Sequence, residues 1–427
     1  MIAAGSSLSD WLTWLETLSP NEIELGLDRV RTVLDRLSPR QPEHVLLVAG
    51  TNGKGSSVAM LSSLLRASGR TIGAYTSPHI SHYNERIAID GSPVPDKDII
   101  AAFEEIEAVR DGVPLTYFEF GTLAAMRVFE RASVDVWILE VGMGGRLDAT
   151  NAIEPTASLI TNVSLDHCGW LGEDIESIAY EKAGVMRRGV PTVYAASDVP
   201  NAILTHAQDS GARLLLAGRD FSHKPEAAGY WSWTGMGQRF ESLPEPGLHG
   251  DFQLRNAAGV LALLFSTGLG DALTAELLNE VLPGLALTGR LQSATAGGAN
   301  WLLDVAHNPA AAAALATTLE DNVGVTWGIV GLLDDKDVEG IVEPLNNRVS
   351  HWIAVTVDSH RALAAEECAR RIANHGNRPC MIGESLRDAM DYARNHAAGG
   401  NRILITGSFY LVGPALQILE LYSRPES

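Results

Sequence analysis

Cysteine is scarce: the 427 residues contain three, Cys168, Cys368 and Cys380. They lie far apart or without C-x-x-C spacing, which argues against a disulfide framework and a thiolate zinc site. Basic residues are in deficit, 32 Lys+Arg against 52 Asp+Glu, for a net charge of −20. Phosphate backbones and anionic lipid attract basic surfaces, so neither nucleic acid nor a membrane is expected as a partner. A small anionic ligand stays possible, because it needs only a few local cations and amides. Apolar runs such as residues 259–265 stop well short of the ~20 residues that span a bilayer. The start, MIAAGSSLSDWLTWLETLSP, has neither the basic beginning nor the continuous apolar run of a signal peptide. Its Trp11, Leu12, Trp14, Leu15 and Leu18 repeat instead like one face of a short helix. A soluble cytoplasmic protein is expected.

What is present is an α/β alternation. Strand-like runs at 45–49, 71–75, 134–140 and 157–163 are short and rich in β-branched residues. Helical segments separate them, such as 56–67, with Val58, Leu61, Leu64 and Leu65 on one side. Such alternation implies a parallel sheet covered on both faces. It resumes after Arg290, with strands expected at 301–305, 326–330, 351–357 and 402–406. Between the blocks, LPGLALTGR at 282–290 is punctuated by Pro and Gly, and 220–250 reads as a hairpin-rich insertion. The alanine-rich 310–316 reads as helix. Two domains are expected, 1–287 and 288–427.

VLLVAGTNGKGSS at 45–57 is a buried strand, a Gly-rich turn and a helix start. Gly50, Gly53 and Gly55 would let amides approach phosphate oxygens, Lys54 adds a cation, and Ser56 can ligate Mg²⁺. A strict Walker A differs: Val48 stands at its first Gly position, and the hydroxyl follows Lys54 by two residues. A plain glycine-rich turn is the alternative, but the Lys, the hydroxyl and both flanking elements occur together, which favours nucleotide binding. Ligands of an open parallel sheet bind at the carboxyl ends of its strands. Three strand ends deliver Ser77, Glu140 and His167 there, a hard-cation shell in combination, although each alone could serve a turn, a cap or the core.

GTNGKGS resembles the signature of the Mur ligase superfamily of ATP-dependent amide ligases. Within it, ELGLDRV at 24–30, TYFEFGTLAA at 116–125 and GGRLDATN at 144–151 resemble the folylpolyglutamate synthase and dihydrofolate synthase family. FQLRNAA at 252–258, GR at 289–290, DVAHNPAA at 304–311, GLLDDKD at 331–337 and GSFYLVG at 407–413 extend the likeness over nearly the whole chain. Two departures, Thr288 before GR and Arg255 before Asn256, stand where proline can occur and bear on loop stiffness.

The resemblance implies a P-loop ATPase domain with a parallel sheet, followed by a smaller Rossmann-like α/β domain. It implies ATP-dependent joining of L-glutamate to dihydropteroate and to folylpolyglutamates through an acyl phosphate. Thr51, Asn52, Gly53, Lys54, Gly55, Ser56, Asn256, Arg290 and Asp304 would hold ATP. Lys54, Lys182, Arg290 and His307 would be catalytic. Ser56, Ser77, Glu140, His167 and a carbamylated Lys182 would arrange Mg²⁺, with two sites expected. By sequence alone Lys182 is a helix lysine beside Glu181, ordinarily a solvated charge. Ile23, Glu24, Leu25, Gly26, Thr116, Tyr117, Phe118, Glu119, Leu147, Asp148 and Ala149 would form the pterin pocket, and Ser408 would lie near glutamate or the acyl phosphate. A monomer is implied. The rival readings are a monofunctional folylpolyglutamate synthase, another Mur-type ligase, or a P-loop regulator. A dinucleotide oxidoreductase is disfavoured, since no G-x-G-x-x-G follows the first strong strand.

Overall fold

The computed structural model describes residues 5–19, 24–319, 324–376, 379–397 and 401–422. Its first sheet has the strands β1 (His44–Ala49), β2 (Ile72–Tyr75), β3 (Ile87–Ile89), β4 (Ser92–Pro93), β5 (Val136–Glu140), β6 (Ala157–Ile160), β7 (Pro191–Tyr194) and β8 (Arg213–Leu216), in the order β4-β3-β2-β5-β1-β6-β7-β8. The central strands are parallel. The period-two alternation of side chains explains why both faces must be covered. Val45, Leu47 and Ala49 enter one buried cluster, whereas Leu46 and Val48 enter the other. The expectation of a wholly parallel sheet needs one correction: β3 and β4 pair antiparallel at the edge. They are too short to carry a readable period. The run expected to extend to 163 leaves the sheet at Ile160 and supplies loop instead.

β9 (Phe221–Pro225), β10 (Tyr230–Gly235) and β11 (Gln238–Pro244) form a separate antiparallel sheet. Trp231 and Trp233 anchor it against the helix Phe252–Ser266, the Trp233 indole donating to the Ala258 carbonyl at 3.1 Å. A third sheet follows, with β12 (Gln292–Ala296), β13 (Ala299–Asp304), β14 (Thr326–Val330), β15 (His351–Ala354), β16 (Cys380–Ile382) and β17 (Arg402–Thr406) in the order β12-β13-β17-β14-β15-β16. Only β12 runs antiparallel among them. Its two faces again fill separate clusters, Leu302 and Leu404 on one and Leu303 and Ile405 on the other.

The loop after β2 presses against the helix Phe409–Ile418. A Cβ on Gly413 would lie 2.1 Å from the Ile80 carbonyl oxygen, so only glycine allows that approach. Tyr422 adds a hydrogen bond from its hydroxyl to Glu85 Oε1 at 2.7 Å. These contacts bring the carboxyl ends of β1, β2, β5 and β6 to face the third sheet. Among the described residues, no helix is long and apolar enough to cross a membrane.

Candidate active site

The phosphate loop is shaped by two glycines. Gly50 has φ 141°, and a Cβ there would lie 1.8 Å from Thr161 Oγ1. Gly53 has φ 89° at the start of the helix Lys54–Ala67, and its Cβ would meet the Asn256 amide at 2.7 Å. The loop is tied down from β6's end: the Asn52 amide donates to Asn162 Oδ1 at 2.9 Å, and Thr51 Oγ1 accepts from the Ser164 amide at 3.0 Å. Lys54 Nζ donates to the carbonyls of Gly50 and Thr51 at 3.1 and 3.3 Å, curled over the loop it would serve. Because Gly53 is fixed by both φ and contact, Gly53→Ala should weaken ADP binding by about tenfold or more, equivalent to at least ~1.4 kcal/mol. Calorimetric titration with ADP checks this; an unchanged affinity would mean that the loop does not hold the nucleotide.

A cavity of about 550 Å³ opens over this loop. Every residue expected for ATP, for metal and for catalysis lines it, together with Ser408. Asn256 comes from the second turn of the helix Phe252–Ser266. Glu140, at the end of β5, is 5% exposed and has no ion-pair partner among the described residues. Burial pushes its carboxyl up to about 7, against the pull of Lys54, the Ser77 amide and Arg290. Lys182 lies on the helix Ile175–Ala183 and is 4% exposed, so the solvated-charge reading fails. Its neighbour Glu181 turns outward to Arg146 at 2.8 Å instead. The Lys182 amine makes no hydrogen bond or ion pair with any described residue. Burial first, then Lys54, drive it down to about 7, which leaves a large share of the amine neutral at physiological pH.

No group of three or more His, Cys, Asp or Glu able to hold a metal occurs among the described residues. The donor set here is leaner: the Ser56 and Ser77 hydroxyls, Glu140 and His167. His167 Nδ1 is buried without a hydrogen-bond partner among the described residues. Mg²⁺ typically uses one or two carboxylates and takes its remaining ligands from phosphates and water, so these residues fit that ion.

The third sheet and the linker leading into it contribute a cation and an imidazole. Arg290 is half-buried, with its guanidinium 5.2 Å from the Phe409 ring centroid and no carboxylate within 4.0 Å among the described residues. Asp304 accepts from the Leu291 and Ala306 amides at 2.9 and 2.8 Å, fixing the linker that carries Arg290. His307 Nδ1 lies 2.7 Å from the Val305 carbonyl, and burial drives the ring down to about 4. It is therefore neutral at pH 7, with its proton on Nδ1 and a lone pair on Nε2. Ser408 caps the helix Phe409–Ile418 by accepting from the Tyr410 amide at 3.2 Å.

A larger cavity of about 1300 Å³ adjoins the first. Glu24, Leu25, Thr116, Tyr117, Phe118, Glu119, Leu147, Asp148 and Ala149 line it as expected. Gly26 does not line it but braces its wall, donating to the Leu147 carbonyl at 3.3 Å. Ile23 lies outside the described residues. Glu119 closes the capping box of Thr116 and pairs with Arg29 at 3.0 Å, so it shapes the wall. Asp148 accepts from Thr150 and the Met143 amide, a buried brace for its loop. The two cavities share Ser77, Pro78, Gly142, Met143, His167 and Tyr410.

Residues outside the sequence-derived set also meet here. Asp166 accepts from Lys336 Nζ at 2.9 Å and from Asn308 Nδ2 at 3.0 Å, with His307 Nε2 at 3.7 Å. Asn308 and Asn52 exchange amide hydrogen bonds at 3.0 and 3.2 Å. Arg86 lies half-buried in the larger cavity's wall, its guanidinium 5.4 and 5.5 Å from the rings of Tyr83 and Tyr117, donating to His79 Nδ1 at 2.9 Å. Asp166 directly precedes the expected His167, and Lys336 stands inside GLLDDKD. Arg86, on the other hand, had no motif to mark it.

Residues 48–264 match the Mur ligase middle domain, and residues 289–409 match the Mur ligase glutamate ligase domain. The chain is 36% identical to the dihydrofolate synthase/folylpolyglutamate synthase of Escherichia coli (strain K12), over 98% of this chain and 96% of that protein. The solved structure of E. coli FolC in complex with DHPP and ADP superposes with a TM-score of 0.92 at 35% identity, covering 99% of both chains. The bifunctional folylpolyglutamate synthase/dihydrofolate synthase of Yersinia pestis, complexed with AMPPNP and Mn ion, gives 0.90 at 37% identity over 98% of this chain and 100% of that one.

Proposed function

The chain belongs to the Mur ligase family and, within it, to the dihydrofolate synthase/folylpolyglutamate synthases, and from that premise we propose how its residues divide the work. It is an ATP-dependent amide-forming ligase, joining L-glutamate to the carboxylate of 7,8-dihydropteroate and to folylpoly-γ-glutamates. The observation that carries the division is the wall shared by the two cavities. A triphosphate over the Gly50–Gly55 loop and a pterin-bearing acid in the larger cavity would meet at Ser77 and His167. The chain would divide at 287/288, work as a monomer and reside in the cytoplasm.

In the first step a carboxylate oxygen bonds to the γ-phosphorus while the bond to the β-phosphate oxygen breaks, and ADP leaves with the electron pair. Phosphoryl transfer depends mainly on positioning and charge neutralisation. Lys54 and Arg290 flank the transferring group, and the loop amides orient it. Ser56, Ser77, Glu140, His167 and a carbamylated Lys182 would hold Mg²⁺, with two positions. When bound, the ion neutralises phosphate charge and aligns the oxygens. Neutral Lys182 can attack CO₂, forming an N–C bond and releasing a proton to water. A buried cation then becomes an anionic oxygen donor.

In the second step glutamate's amine attacks the acyl carbon, and phosphate leaves from the tetrahedral intermediate. The amine must first lose a proton, and neutral His307 offers Nε2 as its acceptor. Asn256 and Asp304 hold the adenosine end. Tyr117 and Phe118 stand where a pterin ring can stack. Thr116, Glu119, Leu147, Asp148 and Ala149 shape the rest of that pocket, with Glu24, Leu25 and Gly26 closing it.

Purified protein should release ADP only when dihydropteroate and L-glutamate are both present with ATP and Mg²⁺. A reduced folate in place of dihydropteroate should also support release. Turnover of the folate but not of dihydropteroate would identify a monofunctional folylpolyglutamate synthase. ADP release independent of both acids would contradict the assignment.

A further inference from the structure

Behind the phosphate loop, three buried side chains form a hydrogen-bond chain. Gln253 Nε2 donates to Ser56 Oγ at 3.2 Å, and Asn256 Nδ2 donates to Gln253 Oε1 at 3.0 Å. Gln253 is 3% exposed, Asn256 1% and Ser56 4%. Asn256 Oδ1 is buried and has no hydrogen-bond partner among the described residues, although its amide packs against Gly53 of the loop. A buried acceptor left without a donor is costly, of the order of 1–3 kcal/mol, so this atom is built for a donor on something that binds.

We propose that Gln253 is a positioning residue that links the identity of the nucleotide's base to the orientation of the Ser56 hydroxyl at the metal site. The proposal rests on the reading above that Asn256 meets the base and Ser56 the metal. An adenine amine donates to Asn256 Oδ1 and leaves the chain as it stands. Ser56 then accepts from Gln253 with one lone pair, has the other for the metal, and keeps its proton for a phosphate oxygen. Guanine presents a carbonyl oxygen at the same position, acceptor against acceptor. To satisfy it the Asn256 amide must flip, and Gln253 must flip to follow. Gln253 Oε1 would then face Ser56 Oγ and claim its proton. A wrong base is thereby felt at the metal ligand.

The relay is read by two binding measurements on the full chain: Mn²⁺ affinity in the ADP complex by electron paramagnetic resonance, and the ADP-over-GDP affinity ratio by calorimetry. Gln253→Leu should weaken Mn²⁺ and narrow the ratio, each by about tenfold, the scale of one lost hydrogen bond in a buried site. In a Ser56→Ala background, Gln253→Leu should change Mn²⁺ affinity no further, which a general loosening of the helix would not reproduce. Unchanged Mn²⁺ affinity and ratio in Gln253→Leu would overturn the relay. If Asn256→Ala leaves the ratio intact, the placement of the base is at fault instead. Should Gln253→Leu not fold, the unmodified protein decides. Mn²⁺ should bind about tenfold more weakly beside inosine diphosphate, which carries a carbonyl oxygen in place of the amine, than beside ADP. Equal affinity overturns the proposal.

Discussion

Lys182→Ala is expected to lower kcat by about 10²–10³-fold, the scale found when one preorganised charge-stabilising group is removed. The lysine is buried with no partner among the described residues, so as an ammonium it would be an uncompensated charge beside Lys54. As a carbamate it supplies the anionic oxygen that the lean set of Ser56, Ser77, Glu140 and His167 lacks. Acetate or propionate at tens of millimolar should therefore restore part of the lost activity in Lys182→Ala, because alanine leaves room for a small carboxylate. Lys182→Arg should not be rescued, since its side chain fills that room with a permanent cation. Steady-state kinetics with and without the added acid check this. A fully active Lys182→Ala would remove the carbamate from the account.

Asp166→Ala should cost both stability and turnover. Burial alone would raise this carboxyl, but His167, His307 and Lys336 hold it well below the usual range. Both imidazoles are themselves driven down to about 4, so at pH 7 the cation that keeps Asp166 ionised is Lys336. Deleting one partner of a buried pair leaves the other charge stranded, typically at a cost of about 3–5 kcal/mol. The lower end applies, because Asp335 stays 3.3 Å from Lys336. Asp166 also accepts from Asn308, which is paired in turn with Asn52 of the phosphate loop. Its loss should therefore leave Asn308 less firmly held and loosen the tie between the loop and the third sheet. The double variant Asp166→Asn, Lys336→Met removes both charges and should regain most of the stability, as apolar replacements of buried pairs often do. It should not regain activity. Denaturant melts and ADP-release rates separate the two effects, and wild-type turnover in the double variant would make the network purely structural.

The phosphate loop was legible because its signal is local: an apolar strand, glycines and an amphipathic helix in unbroken succession. The expected strand at 326–330 matches β14, and that at 402–406 matches β17, since buried parallel strands are short apolar runs with clear ends. β3 and β4 were missed because three and two residues carry no measurable period. The site was legible wherever a residue sat in a motif, but burial was not. Glu181 and Lys182 are adjacent, and nothing in their local sequence says which turns inward. That choice is made by packing, with Ile178, Ala179 and Ala183 facing the core and drawing Lys182 in with them. The Asp166–Lys336 pair spans 170 positions, and only the fold brings it together. Gln253 stood three residues before Asn256 on one helix, a spacing that puts both on one face. Their joint direction toward Ser56 is set by how that helix packs against the loop.

The central claim is that one cleft activates a pterin-bearing carboxylate with ATP and passes the acyl group to glutamate. Dihydropteroate labelled with ¹⁸O in its carboxylate tests it most directly, with the released phosphate analysed by mass spectrometry after turnover with ATP and L-glutamate. Each molecule of product should yield one phosphate carrying a single ¹⁸O, because the oxygen that attacks phosphorus leaves with it. Phosphate free of ¹⁸O, with amide still formed, would contradict the account.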